Sequence, residues 1–224
     1  GVTALGMVVA TEVTITTDLP GSYAAINPAL AILGLSGFDD ELVKSVRRMP
    51  GVADADGGRR VSATVRVGEN ESKEVRLTAF RHFDEQRLNK VWYESGKWPP
   101  EKGEVLIERA SLALLNAEVG DTITIRLNDE FTRDLKIVGL THDLNEVSAT
   151  LTNRIFGYIN FDGSLCRRPM IGSTCVRVKG RRIAATFRPW LKILVSALNA
   201  LAINSTGHKY RSRVNMNLSN FWGR

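Results

Sequence analysis

The stretch from Glu94 to Gly139 constrains the fold most, because turn residues cut it into pieces of strand and short-helix length. It reads Glu94-Ser95-Gly96-Lys97-Trp98-Pro99-Pro100, then Gly103-Glu104-Val105-Leu106-Ile107-Glu108, then Val119-Gly120-Asp121-Thr122-Ile123-Thr124-Ile125, then Leu135-Lys136-Ile137-Val138-Gly139. Gly96 and the proline pair form a turn that no helix can run through. Val105 to Ile107 is a short apolar strand. Arg109 to Ala117 suits a helix with Leu112, Leu114 and Leu115 toward one face. Gly120-Asp121 is a tight-turn signal, and Thr122 to Leu127 alternates as a half-buried strand does. Ile123 and Ile125 are expected on the buried side, Thr122, Thr124 and Arg126 on the other. Leu135 to Leu140 is the expected hairpin partner, and Val105, Ile107, Ile137 and Val138 are expected in the same small core.

This order of pieces resembles the extracytoplasmic domain of MacB-like and FtsX-like ABC transporter permeases, often called the MacB periplasmic core domain. That family places an acidic residue and glycine before Trp-Pro. A Gly-Glu-Val-Leu-Ile strand, a helix, a Val-Gly-Asp-x-Ile turn-strand and a Val-Val-Gly strand then follow. Tyr23-Ala24-Ala25-Ile26-Asn27-Pro28-Ala29 is similar to the family's lead-in segment. Asp39-Asp40-Glu41-Leu42-Val43 through Met49-Pro50-Gly51-Val52-Ala53-Asp54-Ala55 is similar to its first helix and strand. The likeness covers well over half of the 224 residues and loosens from Asp162 onward. It implies a membrane-anchored protein at the extracytoplasmic face of the cell membrane. It also implies a separate or fused ABC ATPase acting through the membrane part. The domain itself would be non-catalytic, transmitting motion or contacting a periplasmic or extracellular partner. Lipoproteins, peptides and small toxic compounds are the family's usual cargo.

Around this module, Asp39 or Asp40 caps a helix running to about Met49, with Leu42, Val43 and Val46 as its buried stripe. Val52 to Asp56, Val61 to Val67 and Glu74 to Phe80 read as strands. Gly57-Gly58 and Gly68-Glu69-Asn70 read as turns between them. Residues 11–36 are apolar and turn-rich. A polar helical connection is expected over Asp84 to Lys90, and a strand over Arg154 to Phe161. Later come a strand at Thr174 to Val178, a helix over Ile183 to Ile203 with Pro189 in its first turn, and a strand over Lys209 to Met216. The expected fold is α+β with two lobes. A split β-α-β-type lobe joins residues 1–83 to 165–224, and a small β-rich lobe, 84–164, is inserted between them.

Composition is that of a globular protein, 43% hydrophobic and 24% charged. No run of about 18 apolar residues suggests a spanning helix, and no basic segment precedes an apolar run as in a secretory leader. Gly1 in place of Met reads as a processed or excised chain. Val2 to Ala10 reads as an ordinary first element or as the outer end of a transmembrane helix, and the resemblance favours the second. All 24 acidic residues lie at or before Asp162, against 18 Lys/Arg there; the last 62 residues carry 12 Lys/Arg and no Asp or Glu. Three readings stay open for that tail: binding of an anion such as lipid headgroups or nucleic acid, complementarity to the acidic front, or an altered reading frame.

The chemistry of an enzyme is hard to find. Nucleotide hydrolysis needs a phosphate loop, and Gly96-Lys97-Trp98 is not one. Gly57-Gly58 lacks the third glycine of a dinucleotide fingerprint. Gly163-Ser164 lacks the second glycine of a nucleophile elbow. His82, His142 and His208 are scattered; His142-Asp143 could be a base and its orienter or one part of a metal site, and His82 lies near Asp84 and Glu85. Asp39-Asp40 reads as capping and Asp129-Glu130 as a solvated hairpin tip. Trp92, Tyr93 and Trp98 suggest a carbohydrate platform less readily than packing residues. Cys166 and Cys175 could join in an oxidising compartment or stay as two thiols, and do not make a zinc site. No catalytic, cofactor-binding or metal residue is therefore named. Beside the permease-domain reading stands an anion-binding module using Arg167-Arg168, Lys179, Arg181-Arg182, Arg188, Lys192, Lys209, Arg211 and Arg213, with thin aromatic interleaving from Phe187, Trp190 and Tyr210. A hydrolase with an unrecognised site is third. Among partners, lipid or peptide cargo is admitted and nucleic acid is disfavoured.

Overall fold

The computed structural model describes residues 19–35, 40–68, 71–80, 82–128, 131–161, 172–180, 196 and 213–215. The chain order is α1 (Leu19–Ala25), β1 (Ala31–Leu35), α2 (Asp40–Arg48), β2 (Val52–Arg66), β3 (Ser72–Phe80), β4 (Trp92–Gly96), β5 (Glu104–Glu108), α3 (Arg109–Leu115), β6 (Thr122–Asn128), β7 (Phe131–His142), α4 (Ala149–Thr152), β8 (Ile155–Asn160), β9 (Gly172–Gly180) and β10 (Arg213–Asn215). The class is α+β, with the described strands in one mixed sheet.

The strands run in the order β10-β1-β9-β2-β3-β8-β5-β7-β4, and β6 pairs with both β2 and β7. That last pairing closes the path on itself. β2, β3, β8, β5, β7 and β6 form a ring, with β4 attached to β7 and the β9-β1-β10 ribbon attached to β2. One edge of β2 serves two partners in turn: β9 along Val52 to Val61, then β6 at Thr64 and Val65. A strand of 15 residues is long enough for both, since each residue advances it by about 3.3 Å. The β3–β8 and β5–β7 pairs are parallel and the other pairs antiparallel.

Side chains fill a small ring of strands, and alternation decides which ones. Val61, Ala63 and Val65 of β2, Val75 and Leu77 of β3, Val105 and Ile107 of β5, Ile123 and Ile125 of β6, Ile137 of β7 and Ile155 of β8 belong to one buried cluster. Leu106 and Tyr158, one step out of phase, join Phe80, Phe83 and Val91 in a second cluster on the opposite face. Inside the ring Gly157 is needed for space: a Cβ there would lie 2.9 Å from Leu77 Cδ2. Thr122, Thr124 and Arg126 are exposed, so β6 faces the way its alternation indicates. Val138 departs from the expectation. It packs against the second cluster, because it alternates with Ile137 on β7.

Three local readings are corrected. Gly57-Gly58 is not a turn; both lie inside β2, paired with Val176 and Cys175. The expected polar helix over Asp84 to Lys90 is an irregular segment instead. Its backbone is held by long-range bonds, Asn89 N to Asn27 O at 3.1 Å and Lys90 N to Ile26 O at 2.8 Å, and the Asn89 side chain accepts Ala29 N at 2.6 Å. Asn27 and Asn89 take positive φ, 51° and 52°, a backbone that asparagine tolerates and helices exclude. Within the turn-rich 11–36 stretch, Leu19–Ala25 forms a helix with Pro20 in its first turn.

The helix of α2 buries Leu42, Val43 and Val46. Of the later expectations, β9 and β10 appear. The Ile183–Ile203 helix lies outside the described residues except Ser196, which is helical. Val2–Ala10, Asp39, Asp129-Glu130 and Cys166 also lie outside them, as does the side chain of Cys175. Among the described residues no helix is long and apolar enough to cross a membrane.

Candidate functional site

Local structure opens a cleft of about 710 Å³ beside β2. Its floor is the Asp54–Arg59 part of β2. One wall is α2, through Val43, Lys44 and Arg47, and the other is the irregular 82–90 segment, with Phe80 and Phe161 at the end. The segment stands off the sheet because Asn27 and Asn89 pin its far end; Asn27 Nδ2 donates to Arg87 O at 2.6 Å.

Charges crowd the floor and are mostly paired. Asp54 receives Arg47 Nε at 3.2 Å and Arg87 Nε at 2.9 Å. Arg47 Nη2 donates to Ala55 O at 2.8 Å. Asp56 accepts Gly57 N at 2.8 Å and Arg87 N at 3.2 Å. Beside the floor lies Arg177 of β9, 2% exposed, directly opposite Asp56 in the strand register. Its Nη2 is 3.7 Å from Asp56 Oδ2 and 3.4 Å from Gly57 O, and its guanidinium lies over the Phe80 ring. Gly58 makes room for it; a Cβ there would lie 2.8 Å from Arg177 Nη2. Gly58, one of the pair that read as a turn, thus admits a buried arginine.

A second polar cluster lies beside β8. Tyr158 donates its hydroxyl to Asp143 Oδ2 at 2.5 Å, and Asn145 N donates to Asp143 Oδ1 at 2.7 Å. Burial holds the Tyr158 phenol well above its ordinary value, and the Asp143 charge adds to this. Glu146 meets Arg60 at 3.0 Å and Arg76 at 3.4 Å. Burial raises its carboxyl although both arginines oppose that. Glu108 closes β5 and accepts Ala110 N and Ser111 N at 2.9 and 3.2 Å, so its carboxylate caps α3.

Among the described residues, those singled out by sequence do not assemble into a catalytic group; His208 and Gly163-Ser164 lie outside them. His142 and Asp143 are chain neighbours but diverge: Asp143 is held by Tyr158 and Asn145, whereas His142 Nε2 lies 3.4 Å from Arg109 Nη2. Burial, with Arg109 beside it, lowers the His142 pKa. His82, Asp84 and Glu85 all line the cleft rim. Trp98 packs edge-on against Phe83 at 5.0 Å and Tyr93 at 6.1 Å. Trp92 packs against His142, so both tryptophans take part in packing. Among the described residues no group of three His, Cys, Asp or Glu is placed to hold a metal. Of the basic last third, Lys179 donates to Asn27 Oδ1. Arg177, absent from the basic residues weighed above, meets Asp56. Arg59, Gln86 and Arg177 carried no local signal, because the cleft depends on a β2–β9 pairing between distant parts of the chain.

No protein-family model matches the chain, and no curated protein sequence matches it. Solved structures do. The chain is similar to the extracellular domain of the noncanonic ABC-type transporter YknZ from Gram-positive bacteria, at 13% identity and a TM-score of 0.50. The match covers 81% of this chain and 99% of that one. It is also similar to the periplasmic region of MacB from Actinobacillus actinomycetemcomitans, at 14% identity, 82% and 88% coverage and a TM-score of 0.44. The chain has the fold of the YknZ extracellular domain.

Proposed function

We propose that this chain is a non-catalytic, extracytoplasmic domain of an ABC transporter permease. In this reading it passes motion between an ATPase-driven membrane part and a partner or cargo outside the membrane. The observation that carries it is the fold shared with the YknZ extracellular domain over nearly all of that domain's length. Topology lends support. In the β1–β10 pair, Ile32 lies opposite Asn215 and Gly34 opposite Arg213. The chain therefore enters β1 and leaves β10 at the same end of one sheet edge, as suits a domain hung on two connections. The site chemistry agrees, since Asp54 and Asp56 are already paired with arginines. We also propose the division into a split lobe, 1–83 with 165–224, and an inserted lobe, 84–164, joined through β2 and β3. An ABC ATPase and an extracytoplasmic protein are the proposed partners, with lipid or peptide cargo.

The test uses the full-length protein in its own membrane. External protease on intact spheroplasts should cut this domain, and detergent-solubilised protein should co-purify with an ATP-hydrolysing subunit or domain. Protection from external protease, with cleavage only after lysis, would reject the extracytoplasmic placement. Co-purification without any ATPase would reject the transporter assignment.

A further inference from the structure

The cleft beside β2 is unevenly matched in donors and acceptors. Its central acceptors are occupied: Asp54 by two arginines, Asp56 by two backbone amides and Arg177. Its donors are not. Gln86, 9% exposed, turns Oε1 to Val91 N at 3.1 Å, which fixes the amide orientation and leaves Nε2 buried without a partner. Arg59 places its guanidinium over the Phe161 ring and also keeps a buried, unbonded Nε. Both residues line the cleft. A buried donor without a partner costs about 1–3 kcal/mol, so these two mark a place that an acceptor would stabilise. The cleft also has an apolar share, from Val43, Phe80 and Phe161.

We propose that this cleft binds a carboxylate carried on a short apolar body, with Arg59 and Gln86 as its donors and the two phenylalanines beside the apolar part. Cation binding is disfavoured because the floor carboxylates are already engaged. A bare inorganic anion would leave the apolar wall unused. The carboxylate could end a peptide or an acyl chain; the chemistry is shared. The proposal stands apart from the transporter reading, since it rests only on the residues that line the cleft.

The test titrates the chain, followed by amide NMR, with N-acetyl-leucyl-leucine, its C-terminal amide, and octanoate. Either free acid should bind saturably, with shifts centred on residues 54–59 and 82–90. The amide should bind about tenfold more weakly or not at all, the scale set by losing one charged acceptor. Binding by the peptide acid alone points to a peptide end, and by octanoate alone to an acyl chain. Gln86→Glu keeps the acceptor for Val91 N, removes the free donor and should cut affinity by about tenfold or more. Arg59→Met should do the same while retaining bulk over Phe161. The proposal is overturned by equal affinity for acid and amide, by unchanged affinity in Gln86→Glu, or by no saturable binding of either acid. The acid–amide comparison needs no variant, so a variant that fails to fold leaves it decisive.

Discussion

Gly96 and Gly139 face each other across β4 and β7 with no room between them for a methyl group. They are register partners. A Cβ on Gly96 would strike Val138 O and the Gly139 Cα, and a Cβ on Gly139 would strike Ser95 O. Gly96 also holds φ at +90°, where an L side chain is strained. Gly96→Ala should therefore destabilise by about 1–3 kcal/mol through crowding alone, read from denaturant midpoints at constant m. Gly21 has open space in α1, so Gly21→Ala should stabilise by a few tenths of a kcal/mol up to about 1. If both substitutions act alike, the close β4–β7 approach is not the cause. Tyr158 gives a test in pH. Its folded pKa lies well above 10.0, so above about pH 10 the unfolded chain releases a proton that the folded chain keeps. Fewer protons on the unfolded state mean stability falls as pH rises through that window. Tyr158→Phe should remove this component of alkaline destabilisation, though it lowers stability at neutral pH by leaving Asp143 short of a donor. An unchanged alkaline slope would show that Tyr158 is not its source.

At the scale of the element, β6 is the clearest case of sequence dictating burial. Ile123 and Ile125 are 6% and 0% exposed. Ile125 pairs with Val65 on one side and Arg133 on the other. Ile125→Ala should cost about 2–5 kcal/mol, from lost transfer energy and the cavity left behind. Thr124→Ala loses one exposed bond to Asp134 at 2.6 Å and should cost under about 1 kcal/mol. Comparable losses at the two positions would mean that the strand faces the other way. Helix α3 depends on its cap in the same local manner. Glu108 is the residue before the helix, its carboxylate takes two of the otherwise unbonded amides, and Glu108→Ala should cost about 0.5–2 kcal/mol.

For the whole molecule, the closed path of β2, β3, β8, β5, β7 and β6 has a mechanical consequence. A ring has no free edge to fray, whereas the β9-β1-β10 ribbon is attached only along β2. Native-state hydrogen exchange should show the ring amides opening together at the highest free energy and the ribbon amides opening earlier. The proposed two-lobe division makes a finer claim: β5, β7 and β8 should exchange as one group, distinct from β1 and β9. Uniform opening of all these strands would count against the division.

The sequence alone was enough for the elements of the Glu94–Gly139 stretch apart from the face of Val138, for the faces of β6, and for the buried stripe of α2. In each case the signal is local. A turn residue ends a strand within a few positions, and alternation assigns its faces without any knowledge of the partner. The order of those local pieces also carried the family resemblance, and the shared fold agrees with it. Only the tertiary structure decided the rest. Gly57-Gly58 looks like a turn until β9 lies beside it and Arg177 fills the space that the missing Cβ of Gly58 leaves. The 82–90 segment has the composition of a polar helix, but Ile26 and Asn27, some sixty residues earlier, take backbone bonds of Arg87, Asn89 and Lys90 instead. The cleft and its unbonded donors exist only where these distant pairings meet. Local propensity is weak, about a kcal/mol per residue or less, and yields whenever burial and long-range hydrogen bonds offer more.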